Sequence, residues 1–234
     1  MNKIFLILGY GIPKDIFEDL EYRSYLAAAF NNIFKYAREH KEGKIRIIFS
    51  GGKTDMIAPY KRSEAGEMKN FFDFLAKREF VRDLTKDWTL LTDTASLSTM
   101  ENILNSKKII EKRNIKSARI GIFCEFTRKS RITKLAKTIF GSGYKVEVFA
   151  IDFSISQNRY LDIAYIIEKE KNALKFDLWA LESEENLKVY HKKFSDKFKF
   201  LRSYGPEKHQ EAIQVWWKNE CDLALQKGFI KKKK

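Results

Sequence analysis

The sequence predicts an α/β protein: a three-layer, Rossmann-like domain with a five-stranded, mainly parallel sheet, followed by a C-terminal helical extension. Short apolar runs alternate with helix-length segments, and strands joined by helical crossovers run parallel with helices on both faces. A hydrophobic content of 44%, with 14% aromatic residues, supplies a buried core and argues against a disordered chain. Three prolines and two cysteines in 234 residues exclude a collagen-like chain, a disulfide scaffold and a cysteine-based zinc site.

The predicted elements follow in order along the chain. Apolar runs predict strands over residues 3–8, 45–49, 88–91, 118–123 and 144–150. Apolar stripes at helical spacing predict helices over residues 20–40, 63–79, 98–113 and 128–140. Ser98 and Glu101 have the spacing of a capping box. Residues 1–155 are therefore predicted to form the Rossmann-like domain, and residues 156–234 a basic, mainly helical extension packing on it, with helices over 157–175, 176–190 and 206–227.

The amino-terminal segment does not have the pattern of an export signal. Its apolar run, residues 4–8, is shorter than a signal core of roughly 7–15 residues. The sequence also lacks the run of about 18 apolar residues that a transmembrane helix needs. We therefore expect a cytoplasmic protein without a transmembrane segment, in which Cys124 and Cys221 are reduced thiols.

Positive charge is concentrated near the C-terminus. The net charge is +14, and residues 191–234 carry half of it, with 12 Lys or Arg and 5 Asp or Glu. Within residues 191–204, cations interleave with aromatic side chains, a pattern that can follow phosphates and stack bases. The interpretation that we favour is an element that packs its aromatic side chains on the protein and exposes its lysines. Nucleic-acid binding through residues 191–204 is kept as the lesser hypothesis.

Candidate binding residues lie where the predicted strands end. Ligands of open parallel sheets bind outside the carboxyl ends of the strands, and the glycines, hydroxyls and cations found there suit an anion. Each signal is weak alone, since the first turn has a G-x-G without the third glycine of a nucleotide fingerprint. The prediction depends on their coincidence at one sheet edge, and the candidates are Gly9, Gly11, Arg23, Ser50, Gly51, Gly52, Ser96, Thr99, Asn102, Arg128 and Arg131.

Three acids near the same turns are candidate catalytic residues: Glu64, Asp93 and Glu101. If they converge, they could hold a divalent cation such as Mg²⁺ beside a phosphate. Alternatively, one could act as a general base on water, its pKa raised by a neighbouring carboxylate. Structural explanations compete with both roles, because the capping box accounts for Glu101 and the helix dipole favours Glu64. The three histidines do not cluster in sequence, so no histidine metal site is predicted.

The order of these motifs resembles the YdcF-like (SanA/ElyC) family of Rossmann-like proteins over about residues 4–150. The resemblance implies a small-molecule site for an S-adenosylmethionine-like or phosphorylated ligand, and many bacterial members have cell-envelope functions. That family usually has Thr-x-x-x-His-x-x-Arg after the fourth strand, whereas this chain has Cys124, Arg128 and Arg131 there, so Arg128 suits anion binding rather than acid–base chemistry. The matching residues are Gly9, Gly11, Arg23, Ser50, Gly51, Gly52, Ser63, Glu64, Ala65, Met68, Asp93, Ser96, Thr99, Glu101, Asn102 and Arg131.

The function predicted from the sequence is binding of a phosphorylated or nucleotide-like small molecule at the strand ends. Hydrolysis or transfer of a phosphate-ester group is the reaction class expected if the chain is an enzyme. The alternative from the same residues is a non-catalytic module for S-adenosylmethionine or a nucleotide.

Overall fold

The computed structural model describes residues 2–40, 44–152 and 163–226. In the last of these ranges, side chains are described for residues 166–220. The described residues divide into two compact units, one within Met1–Phe153 and the other within Ser154–Lys234. The predicted fold class is confirmed: a parallel five-stranded sheet with flanking helices, followed by C-terminal helices.

All pairings in the sheet are parallel, and the strand order is β3-β2-β1-β4-β5. The strands are β1 (Lys3–Leu8), β2 (Ile45–Ser50), β3 (Thr89–Asp93), β4 (Ala118–Glu125) and β5 (Tyr144–Ile151). This is the doubly wound order, in which the chain reverses direction across the sheet between β1 and β4. In this register Leu8 pairs with Ser50, and Ser50 pairs with Asp93. The predicted site residues that follow β1, β2 and β3 therefore begin at one sheet edge.

Helices cover both faces of the sheet. The connections contain α1 (Leu20–Glu39), α2 (Glu64–Ala76), α3 (Glu79–Thr85), α4 (Thr99–Glu111) and α5 (Lys129–Phe140). Helix α1 contacts α2, and α4 contacts α5, as right-handed crossovers on opposite faces require. The core on the α1–α2 side is rich in aromatic rings, with Phe5, Phe30, Phe49 and Phe72 each at most 2% exposed.

The predicted boundaries in this unit lie within about two residues of the observed ones, apart from the helix predicted over 63–79. The single helix predicted over 63–79 ends at Ala76, and a separate short helix, α3, follows it. Strand β4 extends two residues beyond the prediction, to Glu125, so Cys124 is a buried strand residue.

The C-terminal unit is helical in its described part, with α6 (Ile163–Ala180), α7 (Glu184–Ser203) and α8 (His209–Gln226). The helix predicted over 176–190 is wrong, because α6 runs to Ala180 and Ser183 caps α7 by accepting from the amide of Asn186. Residues 157–162 of the predicted first C-terminal helix lie outside the described residues.

The basic and aromatic stretch at 191–204 belongs mainly to α7, and its rings have neighbours within the unit. Tyr190 and Phe194 lie 4.8 Å apart between ring centroids, and Phe200 lies 5.6 Å from Trp216. The ammonium group of Lys197 lies 5.1 Å from the Trp217 ring. The aromatic side chains of this stretch therefore pack on other rings of the C-terminal unit, and packing on the Rossmann-like domain stays a prediction.

Helices long and apolar enough to cross a membrane are absent from the described residues.

Candidate functional site

The carboxyl ends of β1 and β4, the place that we call the fork, are joined by a buried tyrosine. Tyr25, on α1, is 1% exposed, and its hydroxyl lies 3.0 Å from the carbonyl oxygen of Leu8 and 2.9 Å from that of Phe123. Leu8 ends β1, and Phe123 lies near the end of β4. The hydroxyl therefore joins the two strands at the place where ligands bind in doubly wound sheets.

Arg128 lies beside this fork, at the end of a short 3₁₀ turn (Phe126–Arg128) that follows β4. Its Nη1 donates to the carbonyl oxygen of Gly9 over 3.2 Å, and its guanidinium carbon lies 4.0 Å from the centroid of the Tyr10 ring. The Tyr10 amide in turn donates to the hydroxyl of Tyr22 over 3.0 Å. Arg128 is half-buried, so the loop holds a fixed positive charge at the strand ends that still reaches solvent.

Glu64, the first residue of α2, occupies a slot that two glycines open. A Cβ atom on Gly9 would lie 1.7 Å from Glu64 Oε2, and one on Gly51 would lie 2.5 Å from Glu64 Cβ. The Thr54 hydroxyl donates to Glu64 Oε1 over 2.5 Å. Both glycines are thus needed for close approach of this 7% exposed carboxylate.

Asp93 organises a buried hydroxyl network at the end of β3. Its Oδ2 accepts from the hydroxyl of Ser50 over 2.5 Å and from that of Ser96, and its Oδ1 accepts from the amide of Ala95. Asn105 Nδ2 donates to the Ser96 hydroxyl over 2.8 Å. The network joins the β2 and β3 ends, and the carboxylate serves in it as an acceptor for several donors.

The start of α4 contains both a completed cap and an unsatisfied acceptor. Ser98 accepts from the Glu101 amide, as the predicted capping box requires, whereas Glu101 Oε2 accepts from the amide of Leu97, one residue before Ser98, over 2.7 Å. Asn102 is 4% exposed, and its Oδ1 has no hydrogen-bond partner among the described residues. Buried polar atoms are nearly always paired, so this oxygen is the part of the site that awaits a donor.

The remaining predicted site residues differ in burial: Thr99 and Arg131 are buried, whereas Arg23 is exposed. Gly11 adopts a φ of 92°, Thr99 is 8% exposed, and Arg131 is buried in the first turn of α5. Gly52 allows the backbone of Ser96 to approach, since a Cβ there would lie 2.2 Å from its carbonyl oxygen. Arg23 is exposed on α1, and its side chain forms no hydrogen bond or ion pair with any described residue.

Sequence reasoning missed an ion pair next to the site. Asp55 is 2% exposed and accepts from Arg62 Nε and Nη2 over 3.0 and 2.8 Å. Arg62 Nη1 also donates to the carbonyl oxygens of Pro13 and Lys14. Burial raises the pKa of Asp55, but the hydrogen bonds and charge of Arg62 outweigh burial and leave that pKa lowered. The only sequence signal was an acid and an arginine in one loop.

Glu125 was also missed. It is 2% exposed, and its carboxylate accepts from both the amide and the hydroxyl of Thr127, which fixes the turn that carries Arg128. The sequence interpretation ended β4 at residue 123 and so left this acid without a role.

The three candidate acids each have hydrogen-bond donors of their own. Within residues 2–40, 44–152 and 163–226, no group of three or more His, Cys, Asp or Glu side chains is placed to hold a metal ion. Glu64, Asp93 and Glu101 are instead bound by Thr54, by Ser50 and Ser96, and by the Leu97 amide.

Removing the hydroxyl of Tyr25 tests the closure of the fork. Tyr25→Phe leaves two buried carbonyl oxygens without this donor, so we expect the free energy of unfolding at pH 8 to fall by about 1–2 kcal/mol. Burial raises the pKa of Tyr25 well above its usual value near 10. The folded state therefore favours the neutral phenol, and this contribution is complete below about pH 10 and declines as pH rises toward the folded pKa.

Urea unfolding of both proteins at pH 8 and pH 10.5 measures this. The difference between wild type and Tyr25→Phe should be smaller at pH 10.5. An equal difference at both pH values would contradict the role of a buried, neutral phenol.

Comparison with protein-family models, with curated proteins and with solved structures found no match to this chain.

Proposed function

We propose that this chain binds a phosphorylated or nucleotide-like small molecule at the carboxyl ends of β1 and β4. The observation that carries the proposal is the position of Arg128, whose guanidinium group lies against the Gly9 carbonyl and the Tyr10 ring beside the strand fork. The guanidinium group of an arginine in this place can donate bidentate hydrogen bonds to a phosphate or carboxylate. Its remaining exposure leaves it accessible to a ligand from solvent.

A second observation supports the same location for the ligand. The buried Oδ1 of Asn102 has no partner in the described residues, and the Asn102 carbonyl lies 3.1 Å from the Ser50 hydroxyl at the end of β2. A ligand hydroxyl, amine or water can supply the missing donor. A ligand with an anionic group and a hydrogen-bond donor, as in a sugar phosphate or a nucleotide, fits both features.

Catalysis at a phosphate ester is the second part of the proposal. Glu64 is the acid that we assign to it, because Thr54 holds Oε1 while the glycine slot fixes the rest of the side chain. Asp93 and Glu101 are assigned supporting roles, since each carboxylate accepts hydrogen bonds from the loops that it orders. This assignment agrees with the predicted resemblance to YdcF-like proteins, in which Glu64, Asp93 and Glu101 are among the matching residues.

A thermal-shift screen tests binding first. It includes sugar phosphates, nucleotides, isoprenoid phosphates and S-adenosylmethionine, each with and without Mg²⁺. A ligand at 100 times its dissociation constant adds about 2.7 kcal/mol, which raises the melting temperature by about 5–10 °C for a protein of this size. No shift with any of these compounds would contradict the proposal.

Arg128→Ala is then expected to weaken binding of the ligand found in the screen by about 10–100-fold, the loss of a charge-assisted hydrogen bond. The matched control is Arg38→Ala, which removes the same charge from an exposed position in the last turn of α1. Isothermal titration calorimetry measures both affinities. Equal affinity of wild type and Arg128→Ala would exclude the fork as the binding site.

Glu64→Gln separates the enzyme from the binding module. If the chain is an enzyme, this variant keeps its affinity for the ligand and loses turnover of a phosphate ester. Turnover that persists in Glu64→Gln would contradict the assigned role, and absence of turnover in both proteins would support the non-catalytic alternative.

A further inference from the structure

A second cleft lies in the first unit near the amino end of the edge strand β3, away from the carboxyl ends of the strands. It encloses about 490 Å³ and is lined by residues of α1, α2, α3 and the start of β3. That volume lies within the range of about 300–1,000 Å³ that small-molecule sites occupy. None of the residues assigned to the strand-end site lines it.

The floor of this cleft is aromatic. Phe30 lies 5.3 Å from Phe72 and 5.4 Å from Trp88 between ring centroids. Phe30 and Phe72 are buried and Trp88 is partly buried, so the three rings are held by the core. The Trp88 Nε1 is also buried and has no hydrogen-bond partner among the described residues. The exposed part of Trp88 is therefore the aromatic surface that a further planar ring can contact.

Positive charge surrounds the aromatic floor. Lys77, Arg82 and Lys86 line the cleft and are exposed, and none of them forms an ion pair with any described residue. The acid among the lining residues is Asp73, which Lys69 already engages over 2.6 Å. Two of the cations, Lys77 and Lys86, cap the C-termini of α2 and α3, where the dipole also favours them. Their convergence on one aromatic cleft goes beyond what either helix end requires.

We propose that this cleft is a binding site for a small aromatic anion, a planar ring that carries a phosphate or carboxylate. The ring would pack on Trp88, which Phe30 and Phe72 hold in place from the core side, and the anionic group would pair with the three cations. This occupant combines both chemical properties of the walls, whereas an uncharged ring or a bare anion meets only one of them.

The test uses adenosine 5′-monophosphate and indole-3-acetate as probes. Adenosine and inorganic phosphate are the half-probes of the first, and indole and acetate are those of the second. The indole ¹H–¹⁵N resonance of Trp88, assigned with Trp88→Phe, reports binding at this cleft. We expect the resonance to shift with at least one of the two complete probes, and to respond at least fivefold more weakly to both half-probes of that probe. Adenosine 5′-monophosphate alone would identify a phosphate-bearing ligand, and indole-3-acetate alone a carboxylate-bearing one.

Lys77→Gln/Lys86→Gln removes two of the cations and should weaken binding about fivefold, or about 1 kcal/mol. The matched control, Lys116→Gln/Lys134→Gln, removes the same charge from exposed positions outside the cleft and should leave the affinity unchanged. Arg128→Ala should also leave the Trp88 response unchanged, which separates this site from the strand-end site. An unmoved Trp88 resonance with both complete probes, or equal weakening in the control pair, would overturn the proposal.

Discussion

Gly9→Ala is expected to lower the free energy of unfolding by about 3 kcal/mol, at the upper end of the cost of overfilling a packed site. The new Cβ atom would lie 1.7 Å from Oε2 and 2.8 Å from Cβ of Glu64. Neither side can yield easily, because Gly9 donates its amide to the Ser50 carbonyl and the Glu64 amide donates to the Gly52 carbonyl. Urea unfolding followed by circular dichroism measures the change.

The cause of this loss can be isolated in a Glu64→Ala background. Without the carboxylate, the clash with Oε2 disappears and only the contact with Cβ at 2.8 Å remains. The cost of Gly9→Ala should therefore fall by at least about 1 kcal/mol, a coupling of the size found between residues in contact. Equal costs in the two backgrounds would show that backbone conformation at Gly9, and not Glu64, demands the glycine.

The strand-and-helix pattern could be predicted because it depends on local periodicity. Strand β1 and helix α1 match the prediction within one residue, since apolar runs and stripes mark them directly. Helix α3 was not predicted, since the helix predicted over 63–79 was followed by no element before residue 88. It is only seven residues long, its Phe80 is 94% exposed, and its two core-packed apolar residues, Val81 and Leu84, are too few to reveal helical spacing. The α6–α7 boundary did carry a signal, Ser183 before two glutamates, which is typical of a helix start.

The location of the candidate site followed from topology, but its internal contacts did not. The rule that parallel strands end at one edge was sufficient to place Ser50 and Asp93 together, and they are hydrogen-bonded. The Tyr25 hydroxyl reaches the Phe123 carbonyl across 98 residues of sequence, which no local pattern indicates. The exposure of Arg23 likewise depends on how α1 turns about its axis, which its position near a helix start does not indicate.

Arg62→Gln is expected to cost about 2 kcal/mol at pH 7, because Asp55 would remain as a buried carboxylate without its partner. The side chain of Asp55 is 3% exposed and that of Arg62 is 29% exposed. Solvent screening at Arg62 keeps the loss below the 3–5 kcal/mol found for fully buried pairs. Loss of the bonds to the Pro13 and Lys14 carbonyls adds to it, since Arg62 joins the loops after β1 and β2.

The pH dependence of this loss distinguishes the ion pair from simple packing. Arg62 holds the pKa of Asp55 below its usual value of 3.8 against the opposing effect of burial. A lowered folded pKa stabilises the protein above the unfolded pKa, and this contribution disappears as pH falls through the folded value. The difference between wild type and Arg62→Gln should therefore be full at pH 7 and shrink below about pH 4, as urea unfolding at pH 7, 4 and 3 would show.

The same variant connects the loop to the proposed function. The loop held by Arg62 includes Thr54 and precedes Glu64. The Thr54 hydroxyl donates to the Glu64 carboxylate. Arg62→Gln should therefore also weaken binding of the ligand found in the thermal-shift screen, by about threefold, even though Arg62 is not assigned to contact that ligand. Asp55→Asn/Arg62→Gln removes the buried charge as well and should recover part of the lost stability. A double variant less stable than Arg62→Gln would mean that Asp55 stabilises the loop through the Ile57 amide rather than through Arg62.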